Sequence, residues 1–332
     1  MATDTTFTYS AAAVQALADA MQADSSVVTL GEDIGRGGIF GQYRGLLEQF
    51  GADRVIDTPI SEATIVGASV GMALTGLRPV VEMRGVDFAL CAIDEIVNQA
   101  AKNRYMFGGQ GRVPTVIRMP IGVWTGSAGQ HSQSLEAWFA HIPGLVVVAP
   151  GSVQDNYDLL RAAIASDDPV VYFEHKEMWA DSIELNDFAP TFDAEGVGML
   201  GKARVVRAGT DITLVSWSKA VGWSLEAANE LAAEGISAEV IDLRTLWPWD
   251  VPTVAASVQR TGRLMVVHEA IQVGGFGGEI AATIAEQTGK PVARIGAPRA
   301  PVGFAPNLET ATRIDAARIA ARVRQWMQKI TA

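Results

Sequence analysis

The chain of 332 residues carries 37 acidic against 26 basic side chains, a net charge of −11. That balance opposes a phosphate backbone or an anionic membrane surface, so neither nucleic acid nor membrane is expected as a partner. A hydrophobic fraction of 48% with 19% charged residues belongs to a globular protein with much buried surface, and the length asks for two domains. The single cysteine, Cys91, excludes an internal disulfide and a cysteine-cluster metal site, suits a reducing compartment, and is expected to be buried.

The N-terminal stretch MATDTTFTYSAAAVQALADAM has neither a basic start followed by an apolar run nor an arginine-rich presequence, so a cytoplasmic location is expected. Further along, the β-branched runs at 26–30, 79–83, 114–118, 145–149 and 169–173 read as buried strands. Helical patterns at 62–75 and 88–105 lie between them and give the βαβ rhythm of a parallel sheet. Residues 181–199 break that rhythm with Pro190, Gly196, Gly198 and several acids, and read as a connection between domains. A second α/β unit follows, with strands at 212–216, 238–242 and 264–268 and a helix near 220–234. The expected fold class is therefore α/β with two domains, residues 1–190 and 191–332, the linker starting near 181.

The glycine-rich GGFGGE at 274–279 follows a strand and precedes a helix, but Ile280 stands where a dinucleotide-binding turn needs its third glycine. A packing turn is the better reading. No phosphate-binding G-x-x-x-x-G-K-[ST], H-E-x-x-H or G-x-S-x-G motif is present.

Two residues invite a chemical role. His131, one of four histidines, lies in AGQHSQSLEAW among small and polar neighbours that bend the backbone or offer hydrogen bonds. It either meets a ligand or organises the loop. Glu62 opens a helix of small and apolar residues in DTPISEATIVG. Either Ser61 caps that helix and Glu62 answers its dipole, or the carboxyl group sits in an apolar pocket and shares a proton with a bound heterocycle.

Taken in order, GED at Gly31, DTPISEA at Asp57, GLRPVVE at Gly76, DF at Asp87, GGQ at Gly108, QHSQS at Gln130, IDLRTLWPWD at Ile241 and VVHEA at Val266 form one pattern. The chain resembles the beta subunits of the thiamine-diphosphate-dependent decarboxylase component of 2-oxoacid and acetoin dehydrogenase complexes. The likeness implies a transketolase-like pyrimidine-binding domain followed by a transketolase C-terminal-like domain. It implies that Glu62 hydrogen-bonds the cofactor's aminopyrimidine nitrogen, that Phe88 packs on that ring, and that His131 exchanges protons at the mouth of the site or supports acyl transfer to lipoamide.

The family's diphosphate and Mg2+ motif, GDG followed by paired asparagines, is missing here and is expected on an alpha subunit, two of which would join two beta chains. A lipoyl-bearing acyltransferase core is the further partner implied. Some relatives hold a structural K+, and the matching positions are Thr115, Ala163, Ile164, Ser166 and Asp168, with Ser166 in place of the usual acid. Arg84, Gly85 and Trp124 also depart from the family pattern and bear on substrate fit. Two alternatives stay open: a split transketolase-like or acyloin-forming enzyme that needs no lipoamide, and a non-catalytic scaffold.

Overall fold

The computed structural model describes residues 5–331. They form two compact units, one running up to Ile121 and resuming at Trp138–Leu200, the other made of Gly122–Ala137 and the chain from Gly201 onward.

In the first unit, β1 (Thr6–Thr8) precedes β2 (Val27–Gly31), β3 (Val55–Asp57), β4 (Arg78–Glu82), β5 (Val116–Ile121), β6 (Val146–Val148), β7 (Val170–His175) and β8 (Ser182–Glu184). Strands β6, β7, β5, β4, β2 and β3 lie side by side in that order, every pairing parallel. All residues of β5 and β7 are buried. A parallel sheet covered on both faces requires this, and it is why these strands read as unbroken apolar runs. The helices Tyr9–Ala23 and Val153–Ala165 share one core cluster through Leu17, Leu159 and Leu160. Thr8 and Ser152 cap them by accepting the N–H groups of Ala11 and Asp155, each at 3.1 Å.

A polar layer crosses this sheet. Arg118 of β5 grips Glu174 of β7 with two bonds of 2.8 Å, both side chains fully buried, and its guanidinium lies 4.9 Å from the Tyr43 ring centroid. Glu82 accepts from Gln42 at 3.1 Å and from the Tyr43 hydroxyl at 3.0 Å. Burial, with Glu174 adding to it against the pull of Arg118, pushes the Glu82 carboxyl up to about 7.

Four expectations change. The helix expected over 88–105 is broken into Val86–Ala89, Leu90–Ala92, the wide turn Glu95–Ala100 and Asn103–Met106. Residues 181–199 are no loose connection: β8 pairs antiparallel with β1, Asp158 holds the Thr191 and Phe192 amides at 2.9 and 3.0 Å, and Met199 is fully buried. The units consequently divide at 200/201, ten residues after the expected 190/191, and 122–137 group with the second unit. Cys91 is exposed, not buried.

The second unit contains β9 (Arg204–Arg207), β10 (Ile212–Ser216), β11 (Ala238–Asp242), β12 (Thr245–Trp247), β13 (Leu264–Ile271) and β14 (Val292–Ala297). Five of them form a sheet in the order β14-β13-β10-β11-β9, parallel except for the edge strand β9. The glycine-rich turn packs around His268: a Cβ at Gly277 would lie 2.6 Å from its Nε2 and one at Gly275 2.8 Å from its Cε1. The imidazole stacks on Trp217 at 5.3 Å and 13°, and Nδ1–H donates to the Ala270 carbonyl at 3.0 Å. Among the described residues no helix is long and apolar enough to cross a membrane.

Candidate active site

Glu62 is the first residue of the helix Glu62–Leu74. The serine cap does not form: Ser61 makes no side-chain capping bond, and its hydroxyl donates to Thr64 Oγ1 at 2.8 Å. Glu62 therefore stands half-buried at the positive end of the helix dipole. Glu32 comes directly after β2. Its carboxyl is raised by burial first and then by the Glu62 carboxylate, while Arg84 opposes the rise.

Phe88 lies half-buried in the short helix Val86–Ala89 after β4, its amide donating to the Gly85 carbonyl at 3.1 Å. Its neighbour Asp87 pairs at 3.4 Å with Lys176, both side chains 3% exposed. The Lys176 amide in turn donates to Ile121 at the end of β5. That buried pair ties the Phe88 helix to the ends of β5 and β7. Arg84 bonds Asp33 at 2.5 Å, and Asp33 sits in the left-handed region at φ 60°.

Glu32, Glu62 and Phe88 thus follow β2, β3 and β4, three adjacent parallel strands, each within six residues of its strand's last residue. The carboxyl edge of an open parallel sheet is where such folds receive ligands. Glu32 lay inside the quoted GED motif without an assigned role; only the sheet order brings it beside Glu62.

His131 is carried by the other unit and is exposed. Its loop is held by groups distant in sequence. Val123 N–H donates to Glu269 at 3.3 Å, Gly126 N–H to Glu309 at 2.8 Å, and Trp217 Nε1–H to Glu136 at 3.2 Å. Arg313 bonds both Glu309, at 2.8 Å, and the Thr125 hydroxyl, at 3.1 Å. Within the loop Ser132 Oγ accepts the Trp124 amide at 3.2 Å, and the His131 amide reaches the carbonyl of Ala128, which stands at φ 55°. A non-glycine residue in that conformation is strained and needs such support.

Thr115, Ala163, Ile164, Ser166 and Asp168 gather at the opposite, amino-terminal edge of the first sheet, just before β5 and β7. Arg78, at the start of β4, donates to the carbonyls of Ile164 at 3.1 Å and Ser166 at 2.9 Å. The Ala163 carbonyl accepts the Ser166 amide, and that of Thr115 accepts the Val170 amide. Among the described residues no group of three or more His, Cys, Asp or Glu side chains is arranged to hold a metal ion.

Comparison with known proteins agrees with this layout. The transketolase pyrimidine-binding domain model matches residues 5–180 and the transketolase C-terminal domain model residues 201–319. The chain is 43% identical to a mitochondrial pyruvate dehydrogenase E1 component subunit beta-2 of Oryza sativa subsp. japonica, covering 93% of this chain and 85% of that one. It is 41% identical to the beta subunit of an acetoin:2,6-dichlorophenolindophenol oxidoreductase of Cupriavidus necator, covering 95% of each. It is 38% identical to a 2-oxoisovalerate dehydrogenase subunit beta of Bacillus subtilis, covering 93% and 95%. A solved structure described as a split-gene transketolase, an inactive beta4 tetramer, shares the fold with a TM-score of 0.77 at 21% identity, covering 95% and 96%. The chain belongs to the transketolase-like family of 2-oxoacid and acetoin dehydrogenase beta subunits.

Proposed function

We propose that the chain supplies the pyrimidine side of a thiamine-diphosphate-dependent dehydrogenase site, acting on a pyruvate-like 2-oxo acid or on acetoin and delivering the acyl group to lipoamide of a partner acyltransferase. One observation carries the reading: Glu62, coupled to Glu32, shares the carboxyl edge of adjacent strands with Phe88. A carboxyl group and an aromatic face are the donor set that a protonatable aminopyrimidine needs. When bound, the cofactor supplies an electron sink at its thiazolium carbon. Glu62 would hold and share the proton at the pyrimidine ring nitrogen, and Phe88 would pack on the ring.

His131, exposed on a loop fixed by Glu269, Glu309 and Glu136, is the group we assign to proton exchange with the reacting substrate or to acyl transfer. We assign the diphosphate and Mg2+ to an alpha subunit, two of which join two beta chains, because this sequence lacks the GDG and paired-asparagine motif. The single cysteine fits work in the reducing cytoplasm. The test is reconstitution. The chain alone should bind thiamine diphosphate and Mg2+ weakly and not turn over; adding the alpha chain should restore both, with lipoamide as acceptor. Full turnover by the isolated chain would overturn the half-site reading, and turnover indifferent to lipoamide would favour the acyloin-forming alternative.

A further inference from the structure

Residues 36–41 and Arg44, from the loop after β2, line with Trp179 and Ala180 an open cavity of about 350 Å³ in the first unit. That volume is in the range that receives a small organic ligand. We propose that this cavity binds a small phosphate monoester, gripped by Arg36 and Arg44 beside an aromatic wall. Neither Glu62, Phe88 nor His131 lines it.

The charge of the lining selects an anion. In a chain of net charge −11, both ionisable side chains that line the cavity are arginines, and no carboxylate lines it. Among the described residues the Arg44 guanidinium makes no hydrogen bond and no ion pair. It is nevertheless folded back on the loop: Nη2 lies 3.2 Å from where a Cβ on Gly41 would stand. Gly37, at φ 102°, lets the two arginine-bearing segments meet, since a Cβ there would lie 3.3 Å from Arg44 Cα. Arg36 pairs with Asp33 at 2.8 Å, and Asp33 is itself shared with Arg84. One guanidinium without a counter-charge and a second that shares its carboxylate match a doubly charged oxyanion, whose oxygens accept parallel N–H bonds from such forks.

The wall is built before a ligand arrives. Phe40 stacks on Trp179 with ring centroids 5.1 Å apart at 14°, and Trp179 packs edge-on against the buried Tyr9 at 5.7 Å. The Phe40 backbone is pinned twice: its N–H donates to Gln42 Oε1 at 2.8 Å, and its carbonyl accepts from the Ser10 hydroxyl at 2.8 Å. Gln42 is fixed in turn by its bond to Glu82 at 3.1 Å. A recess whose apolar wall is already held binds without the entropy cost of ordering it. Phe40, Trp179 and the exposed Ile39 offer apolar surface that inorganic phosphate would leave uncovered, so the ester carries a compact apolar group.

The test is calorimetric titration of the alpha–beta complex, saturated with thiamine diphosphate so that the cofactor's own anion site is filled. Phenyl phosphate is the probe, and benzoate is its singly charged counterpart. Phenyl phosphate should bind once per beta chain with a Kd of about 1 mM or tighter, and benzoate at least about tenfold more weakly. Arg44→Met should weaken phenyl phosphate at least about tenfold, as loss of a charged hydrogen-bond donor implies. Arg112→Met removes an exposed arginine paired with Asp167 and should leave binding unchanged. Because the Arg44 guanidinium has no protein partner among the described residues, its variant keeps the fold. Absence of binding, benzoate bound as tightly, Arg44→Met binding like wild type, or an equal loss in Arg112→Met would each overturn the proposal. The titration reads binding and not turnover, so a failure here is separate from a failure of the proposed reaction.

Discussion

Removing the Glu309 carboxylate should loosen the loop that carries His131. Glu309 is 6% exposed and, besides the Thr125 hydroxyl, receives three N–H donors: Gly126 N–H at 2.8 Å, Arg313 Nη2 at 2.8 Å and Arg313 Nε at 3.1 Å. Its carboxyl is held below the usual glutamate range, chiefly by the Gly126 amide. Glu309→Ala strands that amide and leaves Arg313, whose side chain is 19% exposed, without its carboxylate. A bond to a charged group contributes about 1.5 to 3 kcal/mol, and the three do not add independently, so a loss of about 3 kcal/mol is expected. At roughly 2 °C per kcal/mol for a chain of this size, melting should fall by about 6 °C. Because the folded-state pKa is lowered, this stabilisation is complete above the ordinary glutamate value of about 4.3 and fades as pH falls through the lowered one. The gap between wild type and variant should therefore close only in acid. In the assembled enzyme, lipoamide-dependent turnover should drop about tenfold, as a misplaced catalytic group implies, while cofactor binding, assigned to Glu62 and Phe88 of the other unit, is retained. An unchanged melting temperature with normal turnover would refute the reasoning.

Three further outcomes follow from the same geometry. His131→Ala should keep assembly and cofactor binding but lose at least about tenfold in lipoamide-dependent turnover; a variant that only melts lower and turns over normally would make the ring a loop organiser. His268, fully buried, is pulled down from 6.5 to about 4 by burial, so the unfolded chain takes up its proton before the folded one does. Stability should then fall between about pH 6.5 and 4 by about 3 kcal/mol more in wild type than in His268→Gln, read from paired melting curves; equal slopes would contradict the assignment. Arg118→Met leaves the fully buried Glu174 carboxyl group without its guanidinium, and should cost about 3 to 5 kcal/mol in melting experiments; a variant as stable as wild type would show that Glu174 finds another partner.

Much of this was legible from local sequence. Strands such as Val170–His175 are buried on both faces, so their β-branched runs announce themselves. The GGFGGE turn was readable as packing because its third position is Ile280; that the glycines make room for His268 required the fold. Long-range relations were hidden. Nothing near Gly126 points to Glu309, 183 residues away, and nothing near Ile164 points to Arg78, 86 residues away. Glu32 and Glu62 become neighbours only because β2 and β3 pair in parallel. The break after Ala89 was masked by an apolar period that persists through Leu90, Ile93 and Ile96 although the backbone changes pitch. Residues 181–199 look like a linker because their acids and glycines suppress periodicity, yet pairing of β8 with β1 and the Asp158 contacts fasten them to the first unit.

The central claim is that the Glu62 carboxyl group activates a cofactor shared with an alpha subunit. Proton exchange at the thiazolium carbon of bound thiamine diphosphate, followed by rapid-quench NMR in the alpha–beta complex of Glu62→Gln, tests it most directly. The substitution keeps the shape and removes the shared proton. The account predicts that the cofactor still binds, that the complex still assembles, and that exchange slows by at least about a hundredfold. Exchange at the wild-type rate in that complex would contradict it.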